Sequence, residues 1–186
     1  MKDEISKTLK TLRNNGLIVY PTDTVWGIGC DASNESTVER VFAIKKRSES
    51  KSLIILVSDI EMLEEVVTEI SKNVLSFVSK TEKPTTVIYS NPVGLAKNAV
   101  ASDNTVAIRV VSNEFCKQLI SEFGKPIIST SANISGASTP KSFEEIEVAI
   151  LESVDYVVDL HREVQNDKSS TIVKVEDDGN IIVLRE

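Results

Sequence analysis

The stretch KPIISTSANISG, residues 125–136, sets the apolar run Pro126-Ile127-Ile128 directly before Ser129, Thr130, Ser131, Asn133 and Ser135, closing on Gly136. An ordinary turn needs only one or two such polar side chains. Hydroxyls and an amide after a buried strand either build an ST-turn with a helix cap or line a cradle for phosphate or carboxylate oxygens. A second stretch, IKKRSESKSL, gathers Lys45, Lys46, Arg47 and Lys51. Read as a helix, position 45 continues the row Val38, Val41, Phe42, which puts Lys45 on the apolar face. Cations in a last helical turn suit the helix dipole, but a lysine on an inward row must snorkel out or meet an anion. A third, YPTDTVWGIG, leaves a strand at Tyr20 and turns through Pro21-Thr22-Asp23-Thr24 before Trp26-Gly27. Loops just beyond strand ends are favoured ligand positions in α/β sheets, while a plain turn capped by Asp23 is the alternative. Arg109 in TVAIRV, Ser169-Ser170-Thr171 ahead of another strand, and Arg185 at the end of the last one add further polar groups. No Walker-type loop or GxGxxG is present, so a nucleotide would need a less familiar cradle.

The elements that must position these groups follow from periodicity. Ile5, Leu9 and Leu12 predict a helix over 3–14, stopped by Gly16, and LIVY (17–20) predicts a short strand ended by Pro21. Ser36 and Glu39 stand at capping-box spacing for a helix over 36–47, followed by the strand SLIILV (52–57). After Asp59 the row Leu63, Val66, Val67, Ile70, Val74, Phe77 predicts one long helix. TVIYS, TVAIRV, PIIST, DYVVDL, TIVKV and NIIVL read as further strands, with helices over 113–123 and 140–152. This alternation predicts an α/β layered domain, and the closely spaced last strands predict that part of the sheet is antiparallel.

The 186 residues suffice for one domain with a real core. The 41% hydrophobic and 26% charged residues are ordinary globular values. No run has the length of a membrane span, and the charged start MKDEISKTLK lacks the apolar core of a secretory signal. Cys30 and Cys116 are too few for a metal cluster or disulfide framework, which points to a reducing cytosol. The single histidine, His161, argues against a zinc site or a histidine-based triad and is read, like both cysteines, as structural or incidental. A net charge of −7 argues against broad coating of nucleic acid, though a local basic cluster can still hold an anionic ligand.

Taken together, PTDTVWGIGCDA, the Lys-x-Arg of Lys45 and Arg47 followed by Lys51, and the Ser-x-Asn of Ser131 and Asn133 resemble the YrdC-like family, the L-threonylcarbamoyladenylate synthases of tRNA modification. TVAIRV resembles the family's strand carrying Arg109, and SSTIV with VLRE resembles its closing strands. The likeness runs from about residue 6 to Arg185, with four separated motifs in the right order.

The resemblance implies one YrdC-like domain over 1–186, with an open, twisted, mixed parallel/antiparallel sheet and flanking helices around a large cavity. It implies that threonine, bicarbonate and ATP, with Mg²⁺, give threonylcarbamoyl-AMP and pyrophosphate. On this pattern Thr24, Arg109 and Ser170 contact threonine, while Arg47, Lys51, Thr105, Ser131, Asn133 and Arg185 hold ATP. Lys45 and Arg47 serve as the catalytic cations. The product would pass to separate tRNA threonylcarbamoyl transferase proteins in the cytoplasm, with weak or no direct tRNA binding and no membrane partner. The chemistry needs two anions held together and phosphate charge stabilised, and it needs no protein nucleophile. The sequence departs from the family at Trp26, where Tyr is common, at TEKPTT in place of a Trp-Pro-Gly-Pro-type stretch, and at Leu56, where some members carry His. It also resembles the short type, ending where longer relatives continue into a second domain. The alternative is a YrdC-like nucleotide- or RNA-binding protein without synthase activity.

Overall fold

The computed structural model describes residues 1–46, 53–166, 168–176 and 180–186. Among the described residues nine strands form one mixed sheet, ordered β7-β1-β2-β6-β3-β5-β4-β8-β9. In chain order these are β1 (Ile18–Tyr20), β2 (Gly27–Gly29), β3 (Ile54–Val57), β4 (Thr85–Ser90), β5 (Thr105–Val110), β6 (Ile127–Ser131), β7 (Tyr156–Val157), β8 (Thr171–Val175) and β9 (Ile181–Arg185). The pairs β1/β7, β3/β5 and β4/β8 are parallel and the remaining neighbours antiparallel, so antiparallel pairing reaches well beyond the closing strands expected from the sequence.

The helices are α1 (Lys2–Arg13), α2 (Glu35–Lys45), α3 (Ile60–Val66), α4 (Lys72–Lys80), α5 (Glu114–Phe123) and α6 (Val148–Glu152). Ile5, Leu9 and Leu12 of α1 and Phe115, Leu119 and Ile120 of α5 bury their apolar stripes in one shared core with the sheet. The cap of α2 is Asn34, whose side chain accepts from Ser36 N and Thr37 N, in place of the expected Ser36–Glu39 box.

Three expectations change. The long helix after Asp59 is two helices, because Val67 turns extended to bridge Pro92 and Ser71 caps a fresh start by accepting from Val74 N. The helix expected over 140–152 is a 3₁₀ turn at Phe143–Glu145 and the short α6. β2 is an additional strand of only three residues, two of them glycine. At Gly29 a Cβ would stand 2.6 Å from Tyr20 Cε1 and 2.8 Å from Ile128 O, so only glycine lets β2 pass between β1 and β6.

One strand organises the site. β6 pairs with β3 through Ile127–Ser129 and with β2 through Thr130 and Ser131. Its hydroxyls therefore emerge where its pairing passes from one neighbour to the other.

Candidate active site

A cavity of about 270 Å³ opens over this junction. Register explains its floor: Ser129, Ile54 and Ala107 are cross-strand partners on β6, β3 and β5, and Gly27 pairs with Ser131. Alternation carries Arg109 to the same face of β5 as Ala107, and Ile172 pairs with Arg185 at the far wall. The lining brings Thr24, Arg109, Ser131, Ser170 and Arg185 together. Ser129 and Thr130, from the same run of hydroxyls after Ile128, line the cavity too, as does Ser169. The lining adds Thr139, which lies in a loop and carried no pattern signal.

Arg109 is 2% exposed. Its Nε lies 3.7 Å from Asp23 Oδ2, and neither atom has a hydrogen-bond partner among the described residues. Across the cavity, Arg185 Nη2 donates to Ser170 O at 2.9 Å and to Ser170 Oγ at 3.3 Å. Ser170 Oγ also shares a 2.8 Å hydrogen bond with Thr86 Oγ1, which fixes it. Partial desolvation at the cavity wall lowers the pKa of Arg185, and the like charge of Arg109 lowers it further. Two guanidinium groups facing one pocket favour an anionic occupant.

Thr22 Oγ1 donates to Val25 O at 2.8 Å and accepts from Thr24 N at 3.0 Å. With that single proton committed, the 3.1 Å contact between the two hydroxyls has Thr24 as donor. The free lone pairs of Thr24 then suit an N–H donor in the cavity.

Lys45 keeps its place on the inward face of α2 but neither snorkels out nor lines the cavity. Its Nζ donates to Ser131 O at 2.5 Å and Asn133 O at 2.6 Å, with Ser131 Oγ at 3.4 Å and Asn133 Oδ1 at 3.3 Å. The backbone it grips is that of the Ser-x-Asn turn. Asn133 is committed to the same turn, donating from Nδ2 to Ile134 O at 3.1 Å and Ala137 O at 2.7 Å. Both residues thus shape the cavity wall from behind, Lys45 bringing its positive charge close to it. Thr105 begins β5 opposite Ser90, and its hydroxyl donates to Asp103 Oδ1 at 2.7 Å, outside the lining of this cavity. Leu56, the partner of Arg109 in register, is fully buried. Arg47 and Lys51 lie outside the described residues.

A smaller cavity of about 170 Å³ adjoins the first along Thr24–Trp26 and is lined also by Thr22, Asn113, His161 and Asn166. Cys30 and Cys116 are buried, and burial pushes both thiols up, Cys30 to about 12, which suits inert packing. Among the described residues no group of three or more His, Cys, Asp or Glu could hold a metal ion, and no carboxylate lines the main cavity. No described helix is long and apolar enough to cross a membrane.

The Sua5/YciO/YrdC family model, described as "Telomere recombination", matches residues 10–186. A threonylcarbamoyl-AMP synthase of Vibrio vulnificus is 34% identical over 151 residues, covering 79% of this chain and 81% of that protein. A putative threonylcarbamoyl-AMP synthase of Methanocaldococcus jannaschii is 34% identical over 191 residues, covering 100% of this chain and 88% of its own. Among solved structures, P. abyssi Sua5 complexed with L-threonine superposes with a TM-score of 0.87 at 25% identity. The whole of this chain is covered there, but it spans only 54% of that Sua5 chain.

Proposed function

The chain belongs to the Sua5/YciO/YrdC family, and from that premise we propose that it is a threonylcarbamoyl-AMP synthase acting on L-threonine, bicarbonate and ATP. One observation carries the reading: among the described residues the cavity is lined by two guanidinium groups and by hydroxyl residues that include Thr24, Ser129, Ser131 and Ser170, and by no carboxylate. Such a wall suits an amino-acid carboxylate beside a polyphosphate. The threonine amine takes up CO₂ from bicarbonate to give a carbamate, releasing water. A carbamate oxygen then bonds to the α-phosphorus of ATP as the bond to the β-phosphate breaks, and pyrophosphate leaves.

In this reading Arg109 takes the threonine carboxylate, Thr24 accepts from its amine, and Ser170 completes that end. Arg185 and Ser131 face the phosphates; Arg47 and Lys51, which the family resemblance assigns to ATP, lie outside the described residues. Preorganised cations aimed at developing phosphate charge act without reorganising during the reaction. Lys45 and Asn133 hold the Ser131 backbone in place. Mg²⁺ enters with the ATP substrate, carried by phosphate oxygens and water. The product passes to tRNA threonylcarbamoyl transferase proteins in the cytoplasm, without stable tRNA binding by this acidic chain.

The test is threonine-dependent pyrophosphate release from ATP in bicarbonate buffer. Threonine should support it, serine poorly and valine hardly at all, because a site built for a hydroxyl leaves polar groups unpaired without one. Equal release with valine and threonine would sink the assignment, and so would a strict requirement for tRNA.

A further inference from the structure

We propose that Asp23 is a positioning residue that acts through Arg109 to select an amino-acid zwitterion over a simple anion. The proposal rests on the reading of the cavity as a threonine site. Asp23 Oδ1 accepts from Ser112 N at 2.8 Å, Ser112 Oγ at 2.7 Å and Asn113 N at 2.5 Å. These three donors, on the turn whose Asn113 caps α5 through Cys116 N, fix the carboxylate plane. Its other oxygen, Oδ2, is thereby aimed at Arg109 Nε, 3.7 Å away, with both side chains 3% exposed.

That separation is too long for a hydrogen bond, so the attraction is coulombic, and burial strengthens it. A guanidinium buried without a counter-charge would be costly. The position of Asp23 also matters. Nε is the stem-side corner of the guanidinium, so a carboxylate held beside it restrains rotation about Cδ–Nε. The two Nη groups are left as a fork for the cavity that Arg109 lines. Asp23 offsets part of the positive potential of Arg109. A ligand that brings a carboxylate together with an ammonium loses little by this, whereas a ligand with only negative charge loses attraction.

Asp23→Asn separates this role from mere capping. The amide oxygen can still accept from Ser112 and Asn113, but its N–H groups now face Arg109 Nε–H. The expected result is a threonine KM raised about tenfold with the ATP KM within about twofold, since the change is confined to one end of the cavity. Competitive inhibition by 3-hydroxybutyrate, threonine without its amine, should strengthen relative to threonine binding. In an Arg109→Lys background Asp23→Asn should add no more than about twofold, because the residue through which it acts has been altered. Ser112→Ala, which removes one of three donors at an exposed position, should raise the threonine KM about threefold. It decides the matter if Asp23→Asn fails to fold.

An unchanged threonine KM, a rise shared equally by ATP, or full additivity with Arg109→Lys overturns the proposal. If the unaltered protein releases no pyrophosphate with threonine, the synthase reading fails on its own. Calorimetric titration of threonine into unaltered and Asp23→Asn protein then still decides the positioning role: about tenfold weaker binding supports it, and equal or absent binding overturns it.

Discussion

Lys45 Nζ stands 2.5 Å from Ser131 O, so the C-terminal turn of α2 and the last residue of β6 are held by a buried ammonium on a carbonyl. The cation of the Lys-x-Arg motif and the hydroxyls of the Ser-x-Asn motif are one structural unit before any ligand arrives. Replacing Lys45 by Met keeps the apolar stem but strands the carbonyls of Ser131 and Asn133. A buried acceptor without its donor costs about 1–3 kcal/mol, so Lys45→Met should destabilise by about 2–4 kcal/mol in chemical denaturation. Activity should fall with it. A Lys45→Met protein that unfolds at the wild-type denaturant midpoint would return Lys45 to a purely electrostatic role.

Ser131 and Asn133 should respond in opposite ways. Among the described residues Ser131 Oγ has only a 3.4 Å contact with Lys45, whereas Asn133 uses its donors and its acceptor on the turn. Ser131→Ala should melt like the unaltered protein and lower kcat/KM by a factor worth about 1–2 kcal/mol, the value of a neutral hydroxyl on a charged ligand. Asn133→Ala should lose about 1–2 kcal/mol of stability first. If Ser131→Ala melts early yet turns over normally, its hydroxyl holds the chain and not the nucleotide.

Acid stability should depend on Glu4. Burial pushes its carboxyl up, but hydrogen bonds from Tyr156, Asp159 N and Lys7 outweigh this and bring it down to about 2, from 4.5. A depressed carboxyl contributes stability that is complete above pH 4.5 and lost as pH falls toward 2. Allowing for solvent screening, the contribution is about 1–2 kcal/mol. Glu4→Gln should therefore lower stability at pH 7 and flatten the loss between pH 4.5 and 2. Urea melts across that range read it directly, and parallel curves for the two proteins would contradict it.

Much of this was legible from residue pattern, and the failures share a cause. Apolar rows announced α1, α5 and most strands, because burial on one face dictates periodicity. The long row after Asp59 looked continuous because its apolar residues stayed in phase, while the break was made by a backbone bridge from Val67 to Pro92 that no local pattern encodes. β2 was invisible because Gly27 and Gly29 have no side chains to alternate, and its reality depends on the neighbours it passes between. In the site, composition identified the polar residues but not their duties. Lys45, Asn133 and Thr105 have the types of ligand contacts, yet partners close to them in the fold had already taken their hydrogen bonds. Asp23 is the converse. The sequence offers it only as the cap of a turn, and tertiary structure brings it to Arg109.

Partial desolvation and the like-charged neighbour Arg109 both work against the charge of Arg185 in the ligand-free protein. Its removal forfeits the hydrogen bonds to Ser170 but relieves that repulsion and desolvation. The two effects oppose each other, so Arg185→Ala should leave the melting temperature of the ligand-free protein within about 2 °C, as surface-like changes do. The difference should appear on adding an anion. Pyrophosphate at about 100 times its Kd stabilises a protein that binds it by about 2.7 kcal/mol, and a phosphate-binding cavity should show the corresponding upward shift. Arg185→Ala should lose most of that shift at the same concentration, because a charge-assisted contact has gone from the phosphate wall. Threonine-induced stabilisation should persist, since Arg109 remains. A ligand-free protein that unfolds many degrees early would make Arg185 a structural clamp for β8 and β9. An undiminished pyrophosphate shift would move the phosphate end of the site away from Arg185 altogether.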